Sequence, residues 1–117
     1  MDLVLQIDER DGWGIVRASG DLDLTTAPRL REAVVTIVTR GQPHVVIDLE
    51  GVDFIDSTGL GVLVGLLKRT RSQQGDLRLV STRPSLRKVL ELTGLDRALP
   101  LAARVEDVLG TSDPARS

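Results

Sequence analysis

The chain has 117 residues, room for a single domain at roughly 100 to 200 residues each, and its 41% hydrophobic and 27% charged content argues against disorder. A net charge of −2 without a basic block, with Trp13 and Phe54 as the only aromatic residues, argues against a nucleic-acid partner by removing both backbone attraction and base stacking. The lack of cysteine removes disulfides, thiolate chemistry and the common zinc sets, which fits a reducing cytoplasm; no charged leader opens the sequence, and no apolar run approaches the ~18 residues of a membrane span.

In chain order, Leu3, Leu5 and Ile7 alternate with Val4, Gln6 and Asp8, a turn signal follows at Asp11-Gly12, and a second β-like run covers 14–18. This predicts an opening hairpin. Thr25-Thr26-Ala27-Pro28 supplies cap hydroxyls and a first-turn proline, after which Leu30, Ala33, Val34, Ile37 and Val38 recur at helical spacing as far as Gly41. The run 45–49 is, apart from Asp48, apolar and largely β-branched without the alternation of a half-solvated strand, as expected of a central strand covered on both faces. A loop is expected over 51–58, and a helix from Ser57 to about Gly75 with Leu60, Leu63, Val64 and Leu67 facing inward. A strand over 77–80 follows, and a helix opened by Pro84 and Ser85 ends at Gly94. A short strand near 98–101 and a helical stretch over 105–109 complete the pattern.

Alternating strands and helices with short connections require parallel strands and right-handed crossovers. The expectation is an α/β domain over 1–110, with a mixed four- to five-stranded sheet opened by a hairpin and about four helices, followed by a flexible tail over 111–117. The functional edge of such a sheet lies beyond the carboxyl ends of its parallel strands, where the 51–58 loop falls.

That loop reads Asp53-Phe54-Ile55-Asp56-Ser57-Thr58-Gly59-Leu60-Gly61, after Asp48-Leu49 at the strand end. It resembles the STAS family of anti-sigma factor antagonists. Gly20-Asp21-Leu22-Asp23-Leu24 with Thr26-Ala27-Pro28 is similar to that family's Gly-Glu-Leu-Asp segment and helix entry, with Asp21 where Glu is usual; Leu90-Glu91-Leu92-Thr93-Gly94-Leu95 is similar to its C-terminal part. The resemblance covers about residues 3–109. It implies that Ser57, with Thr58 as its less favoured neighbour, is the phosphorylation target of a kinase that is itself the anti-sigma factor. The dephosphorylated form binds that factor and frees the sigma factor, a serine phosphatase resets the switch, and ATP and magnesium belong to the partner. No cofactor or metal is implied for this chain.

The residues support such a switch on their own terms. A serine at a helix N-cap is near the surface, and the free amides and positive dipole end accommodate an added phosphate. The modification adds about −1.5 to −2 charges beside Asp56, and near Asp21 and Asp23 if the hairpin-to-helix loop lies alongside. Asp21, Asp23, Asp56, Ser57 and Thr58 are therefore the expected partner-binding residues. The plainer expectations are a bare cap for Ser57, dipole complementation for Asp56 and turn-forming roles for Asp21 and Asp23. Asp48 and Asp53 are expected to be structural, and Gly59 and Gly61 to permit close packing at the helix start.

An enzyme is the weaker reading. A serine hydrolase needs a base near Ser57, yet the one histidine, His44, stands at the far end of the strand, roughly 16 Å away if that strand has five residues. Gly59, Gly61 and Gly65 lie within a predicted helix and do not form a nucleotide loop. A phospho-aspartate receiver needs an acidic cluster after its first strand and a lysine on a late loop, whereas Lys68 and Lys88 are in predicted helices. The nearer alternative keeps the fold without the switch, as an unphosphorylated scaffold or an accessory subunit of a transport or lipid-trafficking complex.

Overall fold

A computed structural model describes residues 2–111. Its opening hairpin pairs β1 (Leu3–Arg10) with β2 (Trp13–Leu22) through Asp11 and Gly12, both at positive φ (54° and 81°), the backbone a two-residue hairpin turn needs to match strand twist. Helix α1 (Ala27–Thr39) carries a proline in its first turn and buries Ala27, Leu30, Val34 and Val38 at the spacing of one helix face. Then come β3 (His44–Ile55), α2 (Ser57–Ser72), β4 (Asp76–Val80), α3 (Pro84–Leu92), β5 (Leu101–Ala102) and α4 (Val105–Thr111). The sheet has five strands in the order β1-β2-β3-β4-β5; β1 is antiparallel to β2 and the remaining pairs are parallel. The expected mixed sheet with an opening hairpin and about four helices is thus the one found among the described residues.

Each crossover steps to the next strand in the same direction, so right-handed connections put α1, α2 and α3 on one face. Alternation in β3 divides the interior accordingly: Val45, Ile47 and Leu49 join the larger core with Leu30, Val34, Leu63 and Leu67, whereas Val46 joins a smaller cluster with Trp13, Ile15, Val80, Val105 and Val108 on the α4 side. Trp13 is fully buried there, edge-on to the His44 ring at 5.5 Å.

Several boundaries differ from the sequence expectation. Strand β3 runs to Ile55, so 51–55 is strand and the connection to α2 shrinks to Asp56. Two register shifts let β2 accompany it, pairing Ser19 with Gly51 and Asp21 with Phe54. Helix α2 ends at Ser72, short of Gly75. Strand β5 is displaced from the expected 98–101 to Leu101–Ala102, and Leu99 is a core residue outside it. The tail expected over 111–117 falls outside the described residues except for Thr111, which closes α4.

Candidate functional site

The carboxyl ends of β2 and β3 bring the β2–α1 loop against the start of α2. The joint is Asp56. Its extended backbone (φ −104°, ψ −176°) breaks from the strand. Its main-chain N–H donates to the Leu22 carbonyl at 3.2 Å, and its carbonyl accepts from the Leu60 N–H at 3.0 Å. Its carboxylate accepts from two amides, Gly59 N–H at 2.9 Å and, across the loop, Leu24 N–H at 3.1 Å. Asp56 is therefore the N-cap and Ser57 the first helical residue, a correction of one position. A carboxylate serves two directions at once and takes the cap from the neighbouring hydroxyl.

Freed from capping, Ser57 stands exposed at the first position of α2, and Thr58 is half-buried behind it. Gly59 seats the helix: a Cβ there would lie 2.6 Å from the Leu22 carbonyl oxygen and 2.9 Å from Ile55 Cγ1. Gly61 has no such role. A Cβ at Gly61 or Gly65 would meet nothing within 4 Å, so the close packing expected of these glycines holds at Gly59 alone.

The β2–α1 loop does lie alongside. The Asp23 carboxylate accepts from the Thr25 hydroxyl (2.8 Å), the Thr25 N–H (3.0 Å) and the Thr26 N–H (3.1 Å). Those bonds, led by the Thr25 hydroxyl, hold its carboxyl below the ordinary Asp value and keep it ionised. The Thr26 hydroxyl donates to the Asp21 carbonyl at 2.7 Å and accepts from the Asp23 N–H at 2.9 Å, tying both aspartates into one turn. Asp21 is half-buried and opposite Phe54 in the β2–β3 register. All five sequence-derived candidates thus share one edge of the domain.

Asp48 and Asp53 are structural, though not as a strand end and a turn. Asp48 lies within β3, accepting from the Glu50 N–H at 3.0 Å. Asp53 accepts from the Arg83 guanidinium at 2.9 Å, and that guanidinium also donates to the Glu50 carbonyl at 2.7 Å. The Thr82 hydroxyl and N–H both donate to the Glu50 carboxylate and depress its pKa, the hydroxyl foremost. This network fastens the entry of α3 to the far end of β3.

Sequence reasoning missed the apolar rim. Leu24, in the loop whose amide Asp56 holds, is 69% exposed, and Phe54, three residues before Ser57 at the end of β3, is 55% exposed. Once β3 is extended, an aromatic between Asp53 and Ile55 on a solvent-facing strand end is the signal that would have found it. His44 starts β3, eleven strand steps before Ile55, or roughly 36 Å at ~3.3 Å each. Among the described residues, no group of three or more His, Cys, Asp or Glu side chains is placed to hold a metal ion, and no helix is long and apolar enough to cross a membrane.

The family model for the STAS domain matches residues 4–108. The chain is 31% identical over 102 residues to an anti-sigma F factor antagonist of Paenibacillus polymyxa, covering 86% of this chain and 87% of that relative. It is 38% identical over 96 residues to an anti-sigma-B factor antagonist of Listeria monocytogenes, covering 81% and 84% respectively. The crystal structure of an anti-sigma factor antagonist from Mycobacterium paratuberculosis superposes with a TM-score of 0.83 at 33% identity over 92% of each chain.

Proposed function

The chain belongs to the STAS domain family, and from that premise we propose that it is a cytoplasmic anti-sigma factor antagonist whose hold on its partner is set by the phosphorylation state of Ser57. It acts by binding. Unphosphorylated, it captures an anti-sigma factor with serine kinase activity and so releases the sigma factor; phosphate on Ser57 ends the capture, and a serine phosphatase restores it.

The observation that carries this reading is the exposed Ser57 at the head of a helix whose cap is already filled by Asp56. The hydroxyl has no structural duty there, so modifying it leaves the fold intact. The helix end offers its positive pole to the new charge. Outward, the effect is large: about −1.5 to −2 charges arrive on an edge that already carries Asp21, Asp23 and Asp56 and the exposed Leu24 and Phe54. An apolar rim suited to burial in a partner becomes the surround of a dianion, and desolvating it opposes docking. A tenfold loss needs only ~1.4 kcal/mol.

The test is to capture partners from the native cytoplasm, add ATP, and map phosphate by peptide mass spectrometry. Ser57→Ala keeps the partner and takes no phosphate; Ser57→Glu binds at least about tenfold more weakly by calorimetry. Equal affinity of wild type and Ser57→Glu, or a partner that places no phosphate on Ser57, overturns the switch and favours an unphosphorylated scaffold.

A further inference from the structure

We propose that the basic cleft between α1 and α2 is a second docking surface, which takes an acidic helical segment of a protein partner. The cleft encloses about 760 Å³ and carries three cations, Arg31 from α1 with Lys68 and Arg69 from α2, and no acidic residue among those lining it. None of the three belongs to an ion pair among the described residues, although Arg29, Arg71 and Arg78 nearby in sequence each do. This concentration stands out on a chain of net charge −2. Arg69 close to the carboxyl end of α2 complements that helix's dipole, which is a sufficient local reason for it. Arg31 has no such reason: it sits in the first half of α1, where a cation faces the positive pole.

The floor of the cleft says what shape the occupant has. Gly61 and Gly65 stand one turn apart with open space where a Cβ would be. Glycine is the poorest helix former after proline, and no neighbour among the described residues requires it at these positions. Bare backbone there lets another main chain approach α2 more closely than any side chain would permit. Thr58 and Ser72 mark the two ends of the cleft, about 21 Å apart at ~1.5 Å per residue, the length of four helical turns. An amphipathic helix lying along α2 meets glycine in its middle and offers carboxylates to Lys68, Arg69 and Arg31. Because Thr58 adjoins Ser57, the same partner can span both surfaces; that identity rests on the switch proposed above, whereas the chemistry of the cleft does not.

The probe is a hydrocarbon-stapled helical peptide of 15 residues with alanines on one face and flanking glutamates, titrated into the full ¹⁵N-labelled chain. The expected result is amide shifts centred on Gly61, Gly65 and Arg31, with affinity falling as salt rises. Lys68→Glu/Arg69→Glu weakens binding about tenfold or more. Gly65→Leu does the same while its thermal midpoint stays at or above that of wild type, which separates a blocked surface from a damaged fold. Equal binding of a lysine counterpart peptide, unchanged affinity in both variants, or the same shifts from phosphatidylglycerol vesicles or single-stranded oligonucleotides overturns the proposal. Against the captured partner, cleft variants without effect beside a weakened Ser57→Glu defeat the shared partner and spare the switch, whereas weakened cleft variants beside an unaffected Ser57→Glu defeat the switch and spare the cleft.

Discussion

The two sides of α2 use the same residue for opposite ends. Gly59 faces inward with its hydrogen pressed towards the Leu22 carbonyl, where a methyl group would sit 2.6 Å from the oxygen; Gly61, two residues on, faces outward into empty space. The inward side is seated: Asp56 binds Gly59, Leu24 and Leu22, and Asp23 stiffens the loop that Asp56 grips. On the outward side Ser57, Gly61 and Gly65 are exposed, and among the described residues a Cβ at either glycine would meet nothing within 4 Å. Rigid placement on one side and freedom on the other is what a docking switch requires: the seat fixes where the hydroxyl points, and the free side can gain a charge or a partner without disturbing the core.

The strongest way to break this contrast is Gly59→Ala. The added methyl meets a main-chain oxygen that itself accepts from the Asp56 N–H, so the obstacle cannot rotate away as a side chain would. Overpacking of this kind costs about 1–3 kcal/mol, expected as a lower urea midpoint with unchanged slope. A neutral Gly59→Ala means that the helix start is not seated on β2 as described. The smaller, opposite effect is Gly61→Ala, which enters open space and removes only glycine's backbone freedom. It is expected to raise stability by about 0.5–1 kcal/mol. Together the two variants turn one helix into an internal control, since helix propensity favours alanine in both and only the surroundings differ.

Much of this arrangement was legible in the sequence because burial imposes its period on the chain. Leu30, Val34 and Val38 announce α1, and Val45, Val46 and Ile47, with Leu49 beyond Asp48, announce a strand covered on both faces. Ser57 at the strand-to-helix joint followed from local pattern as well. The end of β3 was not legible, since Glu50-Gly51-Val52-Asp53 has the composition of a turn. Gly51 is there for a different reason: a Cβ would stand 2.6 Å from Ser19 Oγ on the neighbouring strand, a contact set where β3 bulges by one residue against β2. The cap was misplaced by one residue because Asp and Ser cap about equally well. What decides between them is the Leu24 amide, 32 positions away in sequence. Arg83 with Asp53, 30 positions apart, is of the same kind. Local chemistry writes periods and caps into a sequence; which distant group a carboxylate answers is settled only by the sheet register.

The gentlest probe of the seated side is acid, because the loop that Asp56 grips is itself organised by an ionised carboxylate. Asp23 accepts from the Thr25 hydroxyl and from the Thr25 and Thr26 amides, and these bonds lower its pKa in the folded state. A group whose native pKa lies below its unfolded value binds fewer protons folded than unfolded, so stability rises with pH across that interval. Its contribution is complete above the unfolded value of about 3.9 and disappears as the pH falls through the depressed native value. Asp2 and Glu50, also lowered, act in the same window and sense, at the amino end of β1 and at the entry to α3. Asp23→Asn keeps an acceptor oxygen but no charge to titrate. It should therefore flatten the part of the acid limb owed to Asp23, seen as a smaller difference in thermal midpoint between pH 5 and pH 3 than in wild type, while leaving the Asp2 and Glu50 parts in place. An unaltered acid limb would show that the Asp23 carboxylate adds nothing to the seat, and Asp56 would then be gripping a loop that holds its shape through the Thr26 hydroxyl and the Thr26 and Ala27 amides on the Asp23 carbonyl.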